Sequence, residues 1–364
     1  MKKIISLLLV MLMVLSMAAC GTTAEPDTTE AATEAATVAA TEAPTEASAY
    51  PVTVTDMAGR EVTIEAEPQK IVSGYYISSS ACIALGLKDR IVAVEDKSAK
   101  RPIYSLAAPE ILEMPTVGTA KEFNLEACLA AEPDLVILPM KQKDTAAALE
   151  ELGIPALIVN PESHEQIQEM FTLIGTAAGV TENAETLIAY YNGVLDEIAS
   201  LTAEIADEDK PVVYIGGTSS YLTTAPGQMY QASLITAAGG IDAGHDIEGS
   251  SWVDISYEQL LAMNPDIIVA PTNSMANGTP DYTVDDILAD PQLSDVTAVK
   301  NGAVYQMTIG FEAWDSPAPS GILGTLWMLK TLHPDVYTAE QFAADVTEFY
   351  ETFYGFTPDV SALN

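Results

Sequence analysis

Residues 124–137, NLEACLAAEPDLVI, lie over residues 256–269, SYEQLLAMNPDIIV, at a constant offset of 132. Glu126 meets Glu258, Leu129 meets Leu261, Ala130 meets Ala262, and Pro133-Asp134 meets Pro265-Asp266. In each copy a glutamate stands near the start of a helical stretch, a proline breaks the helix, and an apolar strand follows. A chain that writes helix, turn and strand twice at this distance builds one α/β unit twice. Between the copies, Leu187, Tyr191, Val194, Ile198, Leu201 and Ile205 fall at steps of four and three, one face of a single helix. Thr181 is placed to cap that helix and Glu182 to favour its N-terminal dipole. Some 25 residues at about 1.5 Å each reach about 37 Å, enough to cross a domain.

The remaining pattern agrees. VTVTD-MAGREVTI (52–64) alternates like a hairpin. KIVSGYY, RIVAVED, the strand after Pro133, and PALIVNP read as strands separated by helices. Ser78–Ser80 are candidate caps for the first of these helices, and Gly86 lies near its end. PVVYIGG restarts the alternation, which continues through GQMYQASLITAAGG, the second copy, DDILADPQLSDVTAV and GAVYQM to two helical segments at the tail. The expected fold class is α/β: two Rossmann-like lobes with parallel sheets joined by one long α-helix. The expected divisions are a 1–20 signal segment, a 21–49 tether, a 50–180 first lobe, a 181–207 linking helix and a 208–364 second lobe.

Met1-Lys2-Lys3, an apolar run from Ile4 to Leu15, and Ser16–Ala19 before Cys20 read as a secretory signal, the apolar run being too short to span a membrane comfortably. A cysteine directly after small residues resembles the lipobox of bacterial lipoproteins, which implies lipidation of Cys20; Met17 departs from the leucine usual there. Residues 21–49 are almost entirely Thr, Ala, Glu and Pro, with six acidic residues and no basic one, too polar to offset the entropy of ordering. With 15 basic against 52 acidic residues, the chain would repel nucleic acid. Cys82 and Cys128 sit among Ala and Leu in helices and read as buried thiols, with no disulfide framework.

The loop of KIVSGYYISSSACIALGLKDRIVAV, the paired NLEACLAAEPDLVI and SYEQLLAMNPDIIV, and the late LSDVTAVKNGAVYQM together resemble the substrate-binding lipoproteins of ABC importers, in the rigid-helix group that takes up ferric siderophores, haem and cobalamin. The resemblance covers roughly residues 50–355. It implies an extracytoplasmic, lipid-anchored monomer that binds an iron complex, with a ferric siderophore first and haem or cobalamin next. The partners implied are a permease dimer and its ATPase. No intrinsic cofactor and no enzyme activity are implied. It assigns Glu126 and Glu258 to permease docking, one per lobe. The residues fit independently, because two matched surface carboxylates suit a partner made of two equivalent cationic subunits.

In parallel α/β sheets ligands bind beyond the carboxyl ends of the strands. The loops expected there are 73–80, 95–101, 118–123, 139–144, 216–226, 249–254, 271–278 and 308–317. They carry the aromatics Tyr75, Tyr76, Tyr221, Trp252, Phe311 and Trp314. Ten of the 13 basic residues after the signal lie in residues 60–143. Arg101, Lys121, Lys141 and Lys143 stand in cleft loops, with Lys97 and Lys100 beside them, which points to an anionic ligand such as a metal chelate. His164, His245 and His333 are isolated, without metal-site spacing; His245 is the one placed to approach the cleft. The rival readings are the same body binding another ligand such as an oxyanion, a surface sensor, and a secreted α/β hydrolase. The hydrolase lacks its signature, since GGTSSY (216–221) fails the spacing of a nucleophile elbow.

Overall fold

A computed structural model describes residues 50–271, 281–307 and 311–363. The signal segment, Cys20 and the tether lie outside the described residues, as do 272–280 and 308–310 within two of the expected cleft loops. Residues 48–364 form one unit.

The first lobe opens with a hairpin, β1 (Val52–Thr55) and β2 (Glu61–Ile64). It continues with β3 (Ile71–Ser73), α1 (Tyr76–Ala84), β4 (Ile91–Ala93), α2 (Pro102–Ala107), α3 (Leu125–Ala130), β5 (Leu135–Pro139), α4 (Lys143–Glu151), β6 (Ala156–Val159) and α5 (His164–Ala177). The linking helix is α6 (Thr181–Thr202). The second lobe runs through β7 (Val212–Ile215), β8 (Thr223–Thr224), α7 (Tyr230–Ala237), β9 (Ile241–Asp242), β10 (Val253–Asp254), α8 (Tyr257–Met263) and β11 (Ile267–Ala270). It ends with α9 (Val284–Ala289), α10 (Thr297–Asn301), β12 (Val304–Gln306), α11 (Gly321–Leu332) and α12 (Ala339–Phe353).

The sheet orders are β4-β3-β5-β6 and β12-β11-β7-β9, every pair parallel. Read from the opposite edge, the second is β9-β7-β11-β12, the same order of first, second, third and fourth strand. The central registers also match: Ile71 faces Leu135, and Val213 faces Ile267.

The duplicated segment has a physical reason in both lobes. Asn124 and Ser256 are N-caps whose side-chain oxygens accept from Ala127 N at 3.0 Å and Gln259 N at 3.2 Å. Each helix is followed by a left-handed residue, Glu132 at φ 49° and Asn264 at φ 42°, which turns the chain into Pro-Asp. Asp134 then accepts from Gln69 N and Lys70 N at 2.8 Å each, and Asp266 from Val212 N at 2.9 Å. The repeated aspartate therefore ties the entry of the third strand to the entry of the first.

Alternation along the strands divides the core. Ile71, Leu135, Ile137, Leu157, Val213, Ile215 and Val269 face one cluster that runs through both lobes and includes Leu187, Tyr191 and Ile198 of α6. Val72, Val136, Leu138 and Ile158 face a cluster private to the first lobe, and Tyr214, Ile268 and Ala270 one private to the second. The lobes thus share a core although their sheets are separate.

The linking helix is shorter than expected, 22 residues or about 33 Å, and Ile205 lies beyond its end. Thr181 is its first residue rather than its cap; the N-cap is Val180, which offers no side-chain oxygen. Ser78–Ser80 are not caps either. They lie buried inside α1, whose N-cap is Tyr75, and their hydroxyls serve the site described below. The two-residue β9 and the short α2 carry too few residues to show a period.

Candidate ligand-binding site

At the carboxyl end of β3 the chain passes through Gly74 into Tyr75 and Tyr76. A Cβ at Gly74 would stand 2.8 Å from both Leu138 Cδ2 and Phe123 Cε2, so any larger residue there would have to displace these two side chains. The two tyrosine rings meet edge to face at 5.2 Å between centroids. The Arg101 guanidinium lies over the Tyr76 ring, 3.9 Å from its centroid. With Glu95, Asp96, Lys97, Thr119, Ala120 and Lys121, these residues line a pocket of about 350 Å³.

Beneath it is a buried polar network. Glu95, 4 % exposed, accepts from Ser79 Oγ at 2.6 Å and from Tyr104 Oη at 2.7 Å, and its Oε1 lies 3.4 Å from Arg101 Nε. Ser79 Oγ also reaches Ser73 Oγ at 2.8 Å, and Ser78 Oγ lies 2.7 Å from Ser73 Oγ. Burial raises the Glu95 carboxyl above its usual range, partly offset by the two hydroxyls and Arg101. Burial likewise raises the Tyr75 and Tyr76 phenols, so near neutral pH they present O–H donors rather than phenolates. Among the described residues none accepts a hydrogen bond from the Arg101 side chain. One planar cation with uncommitted donors, two phenols and two flanking lysines can grip an anion through hydrogen bonds and its apolar faces through the rings.

Residues 311–320 of the second lobe pack against the loop and helix that carry this site. Tyr76 Oη donates to Ser316 Oγ at 3.0 Å, and Ile103 N to Phe311 O at 3.1 Å. Ser80 Oγ donates to Glu312 Oε1 and lies 2.7 Å from Tyr354 Oη. Burial pushes the Glu312 carboxyl up and the Asp315 carboxyl to about 7.

The structure therefore gathers Tyr75, Tyr76, Arg101 and Lys121 around one pocket, with Phe311 on a smaller cavity beside it. Lys141 and Lys143 stand exposed outside that lining, although Gln142 between them bonds Ala120 O at 3.3 Å and holds their loop beside 118–123. Two aromatics depart from the expected cleft, Trp314 and Tyr221. Trp314 is fully buried, donating to Tyr350 Oη at 3.0 Å and packing edge to face on Phe342, because α11 and α12 close over it. Tyr221 Oη donates to Asp290 Oδ2 at 2.8 Å and its ring packs on Tyr282, which places it in the second lobe's private core. Trp252 is half-buried against the shared core.

His164 is buried between lobes, 3.2 Å from Tyr191 Oη and 3.4 Å from Thr325 Oγ1, and burial lowers its pKa to about 4. His245 is occupied locally, by Asp242 O at 2.8 Å and Asp246 at 3.2 Å, rather than turned to a ligand. No cluster of three or more metal-ligating side chains occurs among the described residues. Cys82 and Cys128 are free, buried thiols. Glu126 and Glu258 are both exposed in the first turns of α3 and α8. Sequence reasoning missed Glu95, Glu312 and Asp315, since one acid among 52 carries no signal; the run of three serines in an apolar helix was the available clue to buried polar partners.

A protein-family model described as periplasmic binding protein matches residues 71–308. The chain belongs to the periplasmic binding protein family. It is 24% identical over 327 residues to an uncharacterized ABC transporter substrate-binding lipoprotein of Bacillus subtilis (strain 168), covering 88% of this chain and 94% of that one. Other relatives are a molybdate-binding protein of Haemophilus influenzae (23%, 85% of this chain and 93% of the other) and a Fe(3+)-citrate-binding protein of Bacillus subtilis (24%, 67% and 75%). A cobalamin-binding protein of Halobacterium salinarum is 25% identical over 61% of this chain and 59% of its own length. Among solved structures, a periplasmic solute binding protein from Veillonella parvula superposes with TM-score 0.73 at 27% identity, over 86% of this chain and 96% of that one.

Proposed function

We propose that this periplasmic binding protein is the substrate-binding component of an ABC importer, and that it captures an anionic metal chelate, a ferric siderophore or ferric citrate type of complex. The observation that carries the reading is Arg101: a guanidinium stacked on Tyr76, with its terminal donors uncommitted, at the edge of a pocket flanked by Lys97 and Lys121. The name of the Bacillus ferric citrate relative supports it. Capture involves no covalent step and no resident cofactor. Glu126 and Glu258 meet the two permease subunits, and Cys20 carries a lipid that holds the monomer at the cell membrane. Under this reading Cys20→Ser releases the folded body from the membrane fraction, and a variant as membrane-bound as the parent contradicts the anchor.

A second reading is an oxyanion ligand, favoured by the same cationic rim and by the molybdate-binding relative. Haem and cobalamin suit the aromatic surface but make less use of Arg101. Native mass spectrometry and absorbance spectra of the purified protein with ferric citrate, a ferric catecholate siderophore, haem, cobalamin and molybdate separate these readings. A one-to-one complex with a ferric chelate is expected. Binding of molybdate or cobalamin with no ferric chelate bound overturns the iron reading.

A further inference from the structure

Beside the ligand pocket is a second, much smaller cavity of about 20 Å³, lined by Tyr76, Arg101, Tyr104, Phe311 and Glu312 among others. By this measure one water needs roughly 10–15 Å³ and two to four polar partners. Two of the lining side chains carry buried polar atoms with no hydrogen-bond partner, Arg101 Nε and Glu312 Oε2. One is a donor and the other an acceptor, and they come from different lobes. Arg101 Nε approaches Glu95 Oε1 at 3.4 Å without the geometry of a hydrogen bond. Leaving either group unpaired costs its full desolvation penalty, which is larger for charged groups than for neutral ones. We infer that a single buried water occupies this cavity, accepts from Arg101 Nε and donates to Glu312 Oε2, so that Glu312 of the second lobe positions the anion-gripping guanidinium of the first.

The inference rests on the reading of Arg101 as the ligand's anion contact. Its consequence is that the grip depends on both lobes: Tyr76 sets the plane of the guanidinium, Glu95 offsets its charge, and Glu312 fixes its inner edge through the water. Glu312 is held in turn by Ser80 on its other oxygen. Ser320, whose buried Oγ is likewise without a partner and is a second donor open to the water, faces its carboxyl with Tyr350 and Tyr354, and Arg101 is the cation within its reach. Around Arg101 the titratable neighbours are Glu95, Tyr75, Tyr76 and Tyr104. Burial raises Glu312, so its ionisation falls above the usual carboxylate range and is separable from exposed acids.

The chain holds three arginines, Arg60, Arg90 and Arg101, so their Nε–H signals can be assigned one by one in the ligand-free, ¹⁵N-labelled protein. The Arg101 Nε–H is expected to exchange magnetisation with a bound water and to shift with pH in two steps, one removed by Glu95→Gln and the other by Glu312→Gln. Glu312→Ala is expected to speed its hydrogen exchange on the order of tenfold, with the Arg90 signal unchanged. A pH profile identical in parent and Glu312→Gln overturns the proposal, as does an Arg101 Nε–H with no transfer to bound water. Should both Glu312 variants fail to fold, Ser80→Ala decides: by freeing the other carboxylate oxygen it must move the second step, and an unmoved step counts against Glu312. Because no ligand is present, failure here is distinct from failure of the chelate reading, which the binding panel tests.

Discussion

The two lobes share strand order, central register, helix caps and strand-entry aspartates, yet their loops have diverged. The first lobe holds ten of the 13 cations beyond the signal and the whole described lining of the larger pocket. The second contributes a segment with two buried acids, Glu312 and Asp315, that fastens onto Tyr76, Ser80 and Ile103. The scaffold and the surface that presents Glu126 and Glu258 are duplicated, while the loops proposed to meet a ligand are not. Loops on a fixed scaffold can change without cost to the core, so a duplicated fold can bind an asymmetric ligand while docking to a two-fold partner.

That contrast is broken most severely at the proposed docking face. Glu126→Lys with Glu258→Lys is expected to leave ligand affinity and the melting curve unchanged and to cut uptake about a hundredfold, since like charges set opposite each other cost several kcal/mol. Each single change should lower uptake by a similar factor, because the lobes are equivalent there. Unchanged uptake with the well-folded double variant removes the docking role.

A second test concerns the acids that only the second lobe carries. The Asp315 carboxyl titrates at about 7 in the folded protein against an ordinary 3.8, through burial. The folded state holds the extra proton between those values. The stability it contributes is complete below 3.8 and is lost as pH rises through about 7. Between pH 5 and 8 the parent should lose on the order of 3 kcal/mol that Asp315→Asn does not lose, read from urea unfolding at each pH. His164 acts in the opposite sense: buried at about 4 against an ordinary 6.5, it costs stability as pH falls through that interval. The comparison is therefore the difference between variant and parent. Parallel pH profiles for the two proteins would contradict the placement of Asp315.

The smallest expected effect sharpens the shared scaffold. Asp134→Ala removes an acceptor from two strand-entry amides and Asp266→Ala from one, all at exposed positions. About 1–2 kcal/mol and about 1 kcal/mol of unfolding free energy should be lost, in that order. Equal melting of parent and both variants would leave the repeated aspartates without the role given them here.

Much of the fold was legible because the repeat fixes positions rather than compositions. Glu126 and Glu258, Pro133 and Pro265, and the apolar strands after them declared two equivalent units, and the stripe Leu187, Tyr191, Ile198 declared the helix between them. β9 escaped because two residues show no period. The site was legible where residues of one type clustered along the chain, as with Tyr75, Tyr76 and Arg101. It failed at Trp314 and Tyr221, because a loop aromatic and a core aromatic look alike until packing is known. Glu312 meets Ser80 across 232 positions, a pairing no local pattern contains.

The central claim is that the first lobe's guanidinium grips an anionic chelate. Titration calorimetry of the purified protein and of Arg101→Ala with ferric citrate measures this. The parent is expected to bind one equivalent. The variant should bind on the order of ten- to a hundredfold more weakly, the loss of charge-assisted hydrogen bonds worth about 1.5–3 kcal/mol. A parent that binds no anionic chelate, or a folded Arg101→Ala that binds as tightly as the parent, contradicts the account.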